Sequence, residues 1–127
     1  MSPIYGPQRL VADLVALGHE ATLMILPAGE QFVVLPRYMV ELGRFAGRNI
    51  ELGLQATADF PRTVSSAIHV KAEPHLLDFS DSVPNVRNIQ PSVLGQAWRY
   101  WSHNFGWTQE RTARRLMSQI AKIFHDT

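Results

Sequence analysis

The sequence predicts an α+β fold with an N-terminal helix, a four-stranded antiparallel meander, a long loop and a C-terminal helix packed on one face of the sheet. Two observations support it. Apolar residues recur every three to four positions near both ends of the chain, whereas the middle contains short apolar or alternating runs. Proline and glycine residues separate these segments. Because 127 residues is an ordinary size for one domain, we expect residues 1–127 to fold as a single unit.

The first predicted element is an amphipathic helix over residues 7–17. Its apolar side chains follow the spacing of one helical face, at Leu10, Val11, Leu14, Val15 and Leu17. Pro7 is compatible with the first turn, since the first amides of a helix have no partner within the helix. Gly18 is suited to the position just past its end.

Four short segments are predicted to form the meander, over residues 21–26, 31–40, 49–56 and 67–71. The third alternates, with Ile50, Leu52 and Leu54 on one face, which is typical of a half-buried antiparallel strand. Pro36 in the second segment predicts an edge position or a bulge, because proline has no amide hydrogen to donate to a neighbouring strand. A turn over residues 43–47 separates these two segments.

The stretch over residues 73–96 shows little periodicity and is predicted to be a loop. It contains Pro74, Pro84, Pro91 and Gly95. A loop of this length within a compact domain is usually functional, so we expect a functional site here.

The last predicted element is a helix with a continuous apolar stripe, made of Ala113, Leu116, Met117, Ile120, Ile123 and Phe124. Thr108 stands where an N-cap is expected, and Glu110 falls in the predicted first turn. The stripe is expected to pack on the apolar face of the meander, which places both helices on the same side of the sheet.

The composition excludes several classes of function. Without cysteine, the chain has no disulfide, zinc ribbon, thiol redox centre or Cys–His protease site. A net charge of +1 provides no basic surplus for nucleic acid or an acidic membrane. Residues 1–5 lack a signal-peptide pattern, and no run approaches the roughly 18 apolar residues of a membrane span. We therefore expect no nucleic-acid or membrane partner and a cytoplasmic location.

Five histidines raise the hypothesis of a metal site. His69 and His75 lie near Asp78 and Asp81, but their spacing matches no ligand signature such as two histidines four residues apart on a helix. We expect no metal and no cofactor, and a His/Asp metallohydrolase is only the third functional hypothesis.

The segment Trp98–Trp107 contains all three tryptophans of the chain. As a functional surface it would bind a partner through its aromatic side chains. Those residues are Trp98, Trp101, Phe105 and Trp107. As a structural element it would anchor the last helix on the sheet. His103, flanked by Ser102 and Asn104, is a candidate catalytic residue, although adjacency of serine and histidine is not a triad, which is defined by geometry.

Taken in order, these pieces resemble the ubiquitin-conjugating-enzyme (UBC) family. The closer resemblance is to divergent bacterial members found beside genes for ubiquitin-like proteins, activating enzymes and JAB peptidases. The segments that carry it are residues 26–29, 43–47, 59–61, 68–70 and 98–103. The last of these looks like the segment of those bacterial proteins that contains two tryptophans, a serine and a histidine. Together the segments span roughly residues 20–125.

The resemblance implies the UBC fold and a role in a bacterial ubiquitin-like conjugation pathway used in antiphage defence. In that family a cysteine beyond the long loop accepts the C-terminus of a ubiquitin-like protein as a thioester, and a nearby asparagine or histidine assists the transfer. The implied partners are therefore a ubiquitin-like protein and its activating enzyme. His103 corresponds to the family's histidine, and Asn85 is a loose counterpart of its asparagine.

The chain departs from the family in three places. It has no cysteine, the double proline after the Phe-Pro turn is replaced by residues 64–66, and the His-Pro-Asn signature is missing. A thiolate is both a good nucleophile and a good leaving group, whereas a serine would give an oxyester that passes an acyl group to an amine far more slowly. Two explanations stay open: a natural non-catalytic variant, or a chain whose nucleophile has been replaced, at Ser92, Ala97 or Ser102.

The predicted site comprises the loop over residues 73–96 and the segment Trp98–Trp107. In it His103 would polarise or deprotonate, Asn85 or Asn104 could stabilise an oxyanion, and Ser102 completes the candidate catalytic set. The alternative function is a non-enzymatic protein–protein interaction module that uses the aromatic segment and has no conjugation role.

Overall fold

Six antiparallel strands in one sheet, with two helices on one of its faces, form the architecture of this chain. The structure, a computed structural model, describes residues 5–108 and 110–127, so residues 1–4, part of the segment inspected for a signal peptide, lie outside it. The elements are α1 (Pro7–Ala16), β1 (Thr22–Ile25), β2 (Gln31–Met39), β3 (Asn49–Gln55), β4 (Ala67–Lys71), β5 (Ile89–Ser92), β6 (Gly95–Ser102) and α2 (Ala113–Asp126). The strands lie in the order β1-β2-β3-β4-β6-β5.

The α+β class and the order of helix, meander and helix are confirmed, but the prediction of four strands is wrong. Strands β1 to β4 form the expected antiparallel meander, and β6 then pairs with β4 and carries β5 at the sheet edge. The predicted loop over residues 73–96 therefore contains β5 and the start of β6. Strand β5 has four residues, one of them Pro91, and so is too short for its periodicity to be recognised.

The predicted bulge at Pro36 is present in β2. The register passes from the pair Leu35–Leu52 to the pair Tyr38–Ile50, so β2 has one more residue than β3 across this step. Pro36 lies in the extra length, where the regular ladder of hydrogen bonds is interrupted and its missing amide hydrogen costs nothing.

The inner face of the sheet, which both helices cover, contains the main core. Its largest side chain is Trp101 of β6, which is fully buried and contacts the Phe124 ring of α2 at a centroid distance of 5.5 Å. Leu10 and Leu14 of α1 pack into the same cluster. The outer face carries a second, smaller cluster of Phe32, Val34 and Trp98.

The N-cap of helix α2 lies four residues later than the predicted N-cap at Thr108. The observed N-cap is Thr112, whose side chain accepts a hydrogen bond from the Arg115 amide at 3.1 Å, and Glu110 lies before the helix. The preceding segment is held elsewhere, because the Trp107 indole donates to the Pro61 carbonyl at 2.7 Å. Thr112 has the same capping hydroxyl as Thr108, and the contact of Trp107 with Pro61 holds the segment before it away from the helix. Within the described ranges, neither helix has the length and hydropathy required to cross a membrane.

Candidate functional site

The structure brings together two of the predicted catalytic residues, His103 and Asn85. His103 follows the end of β6, and Asn85 lies in the segment that connects β4 to β5. The imidazole Nδ1 of His103 is 2.6 Å from the backbone carbonyl oxygen of Asn85. A short side-chain contact thus joins two positions that are 18 residues apart in the sequence.

This contact determines which ring nitrogen of His103 is available for chemistry. A carbonyl oxygen only accepts hydrogen bonds, so Nδ1 must carry the hydrogen, and Nε2 is left as the free nitrogen. The His103 amide donates to the Ser66 carbonyl at 2.8 Å, and the imidazole meets the Phe105 ring edge-on at a centroid distance of 4.6 Å. The backbone, one ring nitrogen and one ring face are therefore all fixed.

Asn85 has a backbone conformation that suits this role. Its φ of 67° lies in the left-handed region, which asparagine tolerates better than most residues. Its side-chain amide donates to the Asp126 carboxylate at the end of α2. Asn85 therefore links the imidazole to α2 through its backbone on one side and its side chain on the other.

A cavity of about 210 Å³ opens beside the His103 ring. Its lining residues are Asn85, His103, Asn104, Phe105, Arg115, Gln119, Lys122 and Ile123. Helix α2 contributes Arg115, Gln119 and Lys122, which are spaced by four and three residues and so share one face of the helix. We refer to this cavity as the His103 cavity.

The charge of the His103 cavity favours an anion. Lys122 is already paired with Asp126 at 3.1 Å. Hydrogen bonds from His125 and Lys122 hold the pKa of Asp126 below its usual range, so that carboxylate stays charged and offsets the lysine. Across residues 5–108 and 110–127, the Arg115 guanidinium has neither an ion pair nor a hydrogen bond. One uncompensated positive charge therefore remains at the cavity.

Two further polar groups at this site have unused hydrogen-bonding capacity. The Gln119 side-chain oxygen is buried, and no hydrogen-bond donor reaches it from the described residues. Asn104 turns its side-chain oxygen onto the Gly106 amide at 3.0 Å, which leaves its amide hydrogens for other acceptors. The donors at the cavity are therefore the Arg115 guanidinium and the Asn104 amide hydrogens, which can hold a carboxylate or a similar anion. The free Nε2 of a neutral His103 and the Gln119 oxygen are acceptors.

Ser102, the third predicted catalytic residue, does not line the His103 cavity. Its side chain is buried, and its hydroxyl oxygen accepts a hydrogen bond from the Arg87 guanidinium at 3.1 Å. A hydroxyl held by a guanidinium and away from His103 is not positioned to attack a substrate there.

The four aromatic residues predicted to bind a partner are mostly interior. Trp98, Trp101 and Phe105 are buried, and Trp107 is half-buried with its indole nitrogen bonded to Pro61. Trp101 contacts the Phe124 ring of α2, as an anchor for the last helix would, whereas Trp98 packs with Phe32 and Val34 on the opposite face of the sheet.

Arg115, Gln119 and Lys122 were not predicted from the sequence as site residues. Once a helix was predicted, their spacing was sufficient to place them on one face of it. Nothing in the sequence, however, showed that this face meets His103, because that contact depends on how α2 packs across the sheet.

A second histidine, His69, is buried on the outer face of the sheet and only 2% exposed. Its Nδ1 lies 2.7 Å from the Ser92 hydroxyl, and its ring meets the Phe32 and Tyr100 rings edge-on. Burial lowers its pKa from 6.5 to about 4. No hydrogen-bond partner for its Nε2 exists among the described residues, so protonation would leave an uncompensated charge in an apolar environment.

The histidines and aspartates that raised the metal hypothesis are separated in part: the Asp78 amide donates to the Asp81 carboxylate at 2.6 Å, but His69 lies elsewhere. His69 contacts Ser92, whereas Asp78 pairs with Arg99 at 2.9 Å. Over the ranges 5–108 and 110–127, no group of three or more histidine, cysteine, aspartate or glutamate residues is placed to hold an ion.

Comparison with protein-family models, with curated proteins and with solved structures finds no significant match to this chain. Function is therefore argued from the geometry of the site together with the segments that resemble the UBC family.

Proposed function

We propose that this protein is a non-catalytic, UBC-like component of a bacterial ubiquitin-like conjugation pathway, and that it holds the C-terminal carboxylate of the ubiquitin-like partner in the His103 cavity. The observation that carries the proposal is the uncompensated guanidinium of Arg115 beside the free Nε2 of His103. An anion placed between them would gain charge-assisted hydrogen bonds from both groups if the imidazole is protonated, and from Arg115 alone if it is neutral.

The order of the elements supports the family assignment. An N-terminal helix, four consecutive antiparallel strands, an irregular crossing segment and a C-terminal helix follow one another, as the resemblance implies. The histidine that the resemblance singles out lies beyond the crossing segment and lines the cavity. The hairpin of β5 and β6 is an addition to the four strands expected.

The shape of the cavity supports the tail of a chain as its ligand. A cavity of about 210 Å³ admits a few atoms of an extended terminus but not a folded surface. A terminal carboxylate brings a single negative charge, which matches the single uncompensated guanidinium. The apolar wall of the cavity is formed by Phe105 and Ile123, which are both buried.

Binding without acyl transfer is the activity these residues allow. The chain contains no thiol, and the hydroxyl predicted as a candidate, on Ser102, is buried and bonded to Arg87. A bound carboxylate would therefore be held rather than converted to an ester. Such a protein would present or protect the tail of its partner for another enzyme of the pathway.

A charge-matched pair of variants tests the site. Arg115→Gln is expected to weaken binding of a peptide ending in Gly-Gly carboxylate about fivefold, the cost of about 1 kcal/mol for an exposed ion pair. Arg114→Gln removes the same charge from the neighbouring position, which lines a different depression beside Tyr38, and should leave binding unchanged. Isothermal titration calorimetry measures both.

The matching amidated peptide is the ligand control, and it should bind several-fold more weakly to the unmodified protein. Equal binding of the two peptides, or equal losses for the two arginine variants, would refute a carboxylate site at the His103 cavity. If the peptide binds but neither a ubiquitin-like protein nor its activating enzyme associates with this chain in a pull-down, the pathway assignment fails while the site stands.

The alternative, an interaction module with no conjugation role, is favoured by one specific feature. A groove of about 400 Å³ lies beside the β5–β6 hairpin, with Trp98 in its lining and the half-exposed Phe79 at its rim. Phe79 is held there by the Arg99 guanidinium, which stacks on its ring at 4.4 Å. A partner bound in this groove would be released by Phe79→Ser and would be insensitive to Arg115→Gln.

A further inference from the structure

Strand β1 forms one edge of the sheet and is exposed along its whole length. Its apolar side chains Leu23, Met24 and Ile25 are 37%, 38% and 64% exposed, and Ile25 is the most exposed of the large hydrophobic residues that the structure describes. An edge strand with apolar side chains is a template for pairing with another strand. The edge is thus the most prominent unpartnered surface of this fold.

The backbone groups that β1 leaves unpaired follow from its register with β2. The Leu26 amide donates to the Glu30 carbonyl at 2.9 Å, so the residues at alternate positions from Leu26 direct their backbone groups towards β2. These are Thr22 and Met24. The amides and carbonyls of Leu23 and Ile25 therefore point outward from the sheet and are free to pair with another strand.

Three of the usual protections of an edge strand are absent from β1, although the strand is short, at four residues. It contains no charged residue, no proline and no break in its register with β2. The opposite edge differs, since β5 contains Pro91, which has no amide hydrogen to offer. The two edges are therefore not equivalent as templates, and a β1-to-β5 contact between copies is disfavoured.

We propose that β1 pairs antiparallel with β1 of a second copy of this chain and joins the two sheets across a two-fold axis. With Met24 opposite Met24 of the second copy, Leu23 lies opposite Ile25 of that copy on the helix side of the sheet. The outward backbone groups of Leu23 and Ile25 then match as donors and acceptors. The same pairing covers the side chain of Ile25, the most exposed of the large hydrophobic residues that the structure describes.

The surroundings of β1 fit a second copy as the occupant. Val15 of α1 and Leu17, the residue that caps its C-terminal end, are exposed. Helix α1 packs over β1 and β2, and the two-fold axis places both copies of this helix on the same side of the joined sheet. In the proposed register Glu20 lies opposite Ala28 of the second copy. No pair of like charges is brought together along the strands, which a self-pairing edge requires.

The absence of cysteine allows a direct test of this pairing. Met24 directs its backbone groups towards β2, so it would form a non-hydrogen-bonded pair across the axis with Cα atoms about 4.5 Å apart, which is within disulfide range. A Met24→Cys variant has a single thiol per chain and can only cross-link between copies. Mild oxidation of this variant should give a covalent dimer at low micromolar concentration.

The control is Val93→Cys, at the β5–β6 turn, where the side chain is 55% exposed. It should stay largely monomeric under the same oxidation, because Val93 is more exposed than Met24, which is 38% exposed, but has no pairing surface. In parallel, Met24→Lys places two positive charges opposite one another and should raise the dissociation constant of the dimer at least about tenfold in analytical ultracentrifugation. Unchanged far-ultraviolet circular dichroism establishes that each variant is folded.

The results that overturn the proposal are specific. Sedimentation of the unmodified chain as a monomer up to about 100 μM would exclude a dimer of useful affinity. Equal cross-linking of Met24→Cys and Val93→Cys would show random collision rather than pairing. A dimer that Met24→Lys leaves intact would place the interface elsewhere on the surface.

Discussion

Replacing Gly43 by alanine is expected to destabilise the protein by about 4 kcal/mol, because the added methyl group would both strain the backbone conformation and overlap a neighbouring backbone. Gly43 has a φ of +80°, a conformation that L-residues with a side chain rarely adopt. A Cβ at this position would overlap the backbone carbonyl oxygen of Phe124 and would lie 3.0 Å from its carbonyl carbon. Backbone atoms of a helix cannot rotate away as a side chain would.

Gly47 is the matched control within the same turn. Its φ is +93°, but no heavy atom lies within 4 Å of the position its Cβ would take. Gly47→Ala should therefore lose only the conformational term, about 1 kcal/mol. Comparing the urea unfolding of the two variants separates the cost of the backbone conformation from the cost of the steric overlap. Equal losses would mean that the turn does not pack against α2 as closely as the structure shows.

The effect of Gly43→Ala should extend to the candidate site. The turn over residues 43–47 meets the last turn of α2, and that turn also carries the Asp126 carboxylate bound by Asn85. Displacing the end of α2 would loosen the link that positions the Asn85 carbonyl against His103. Binding at the His103 cavity should weaken even in those Gly43→Ala molecules that remain folded.

The second large effect is a loss of stability in acid that depends on His69. Burial lowers the pKa of this histidine from 6.5 to about 4, so between these two values the unfolded chain binds a proton that the folded chain does not. Stability is therefore fully present above pH 6.5 and falls as the pH drops towards 4. The full shift corresponds to about 3 kcal/mol.

Substitution of His69 by glutamine should remove this pH dependence. Carboxylates titrate near the lower end of the same window, so the informative quantity is the difference in unfolding free energy between the original chain and His69→Gln at pH 7 and at pH 4. That difference should change by about 3 kcal/mol in favour of the variant on acidification.

His19→Gln controls for the removal of any histidine, because His19 is half-buried and stacks on the Tyr38 ring. This variant retains His69 and should therefore still lose stability between pH 7 and pH 4. A pH profile unaffected by His69→Gln would show that His69 is protonated in the folded protein without penalty.

The class of the fold and most of its elements could be predicted from local patterns. The α1 helix, the first four strands and the bulge at Pro36 are each encoded by side-chain spacing or by a missing amide hydrogen, which act within a few residues. Strand β5 could not be predicted, since four residues including Pro91 form a strand only because β6 lies beside them. The start of α2 was misplaced for a similar reason, the distant contact between Trp107 and Pro61.

The candidate site was predictable only in part. His103 and Asn85 were identified from the resemblance, and the structure places them in contact. The roles of Arg115, Gln119 and Lys122 depend on which face of α2 turns towards β6, and the sequence does not show this. The aromatic residues had two possible roles, surface or anchor, and only the observed burial of Trp98, Trp101 and Phe105 distinguishes them.

The most direct test of the central claim is to map, by ¹H–¹⁵N NMR, the amide shifts caused by the peptide ending in Gly-Gly carboxylate. Tail binding in the His103 cavity predicts shifts that concentrate at His103, Asn104, Arg115 and Gln119, and that disappear when the amidated peptide is used. Shifts centred instead on Phe79 and Trp98, or equal shifts with both peptides, would contradict a carboxylate-binding role for this cavity.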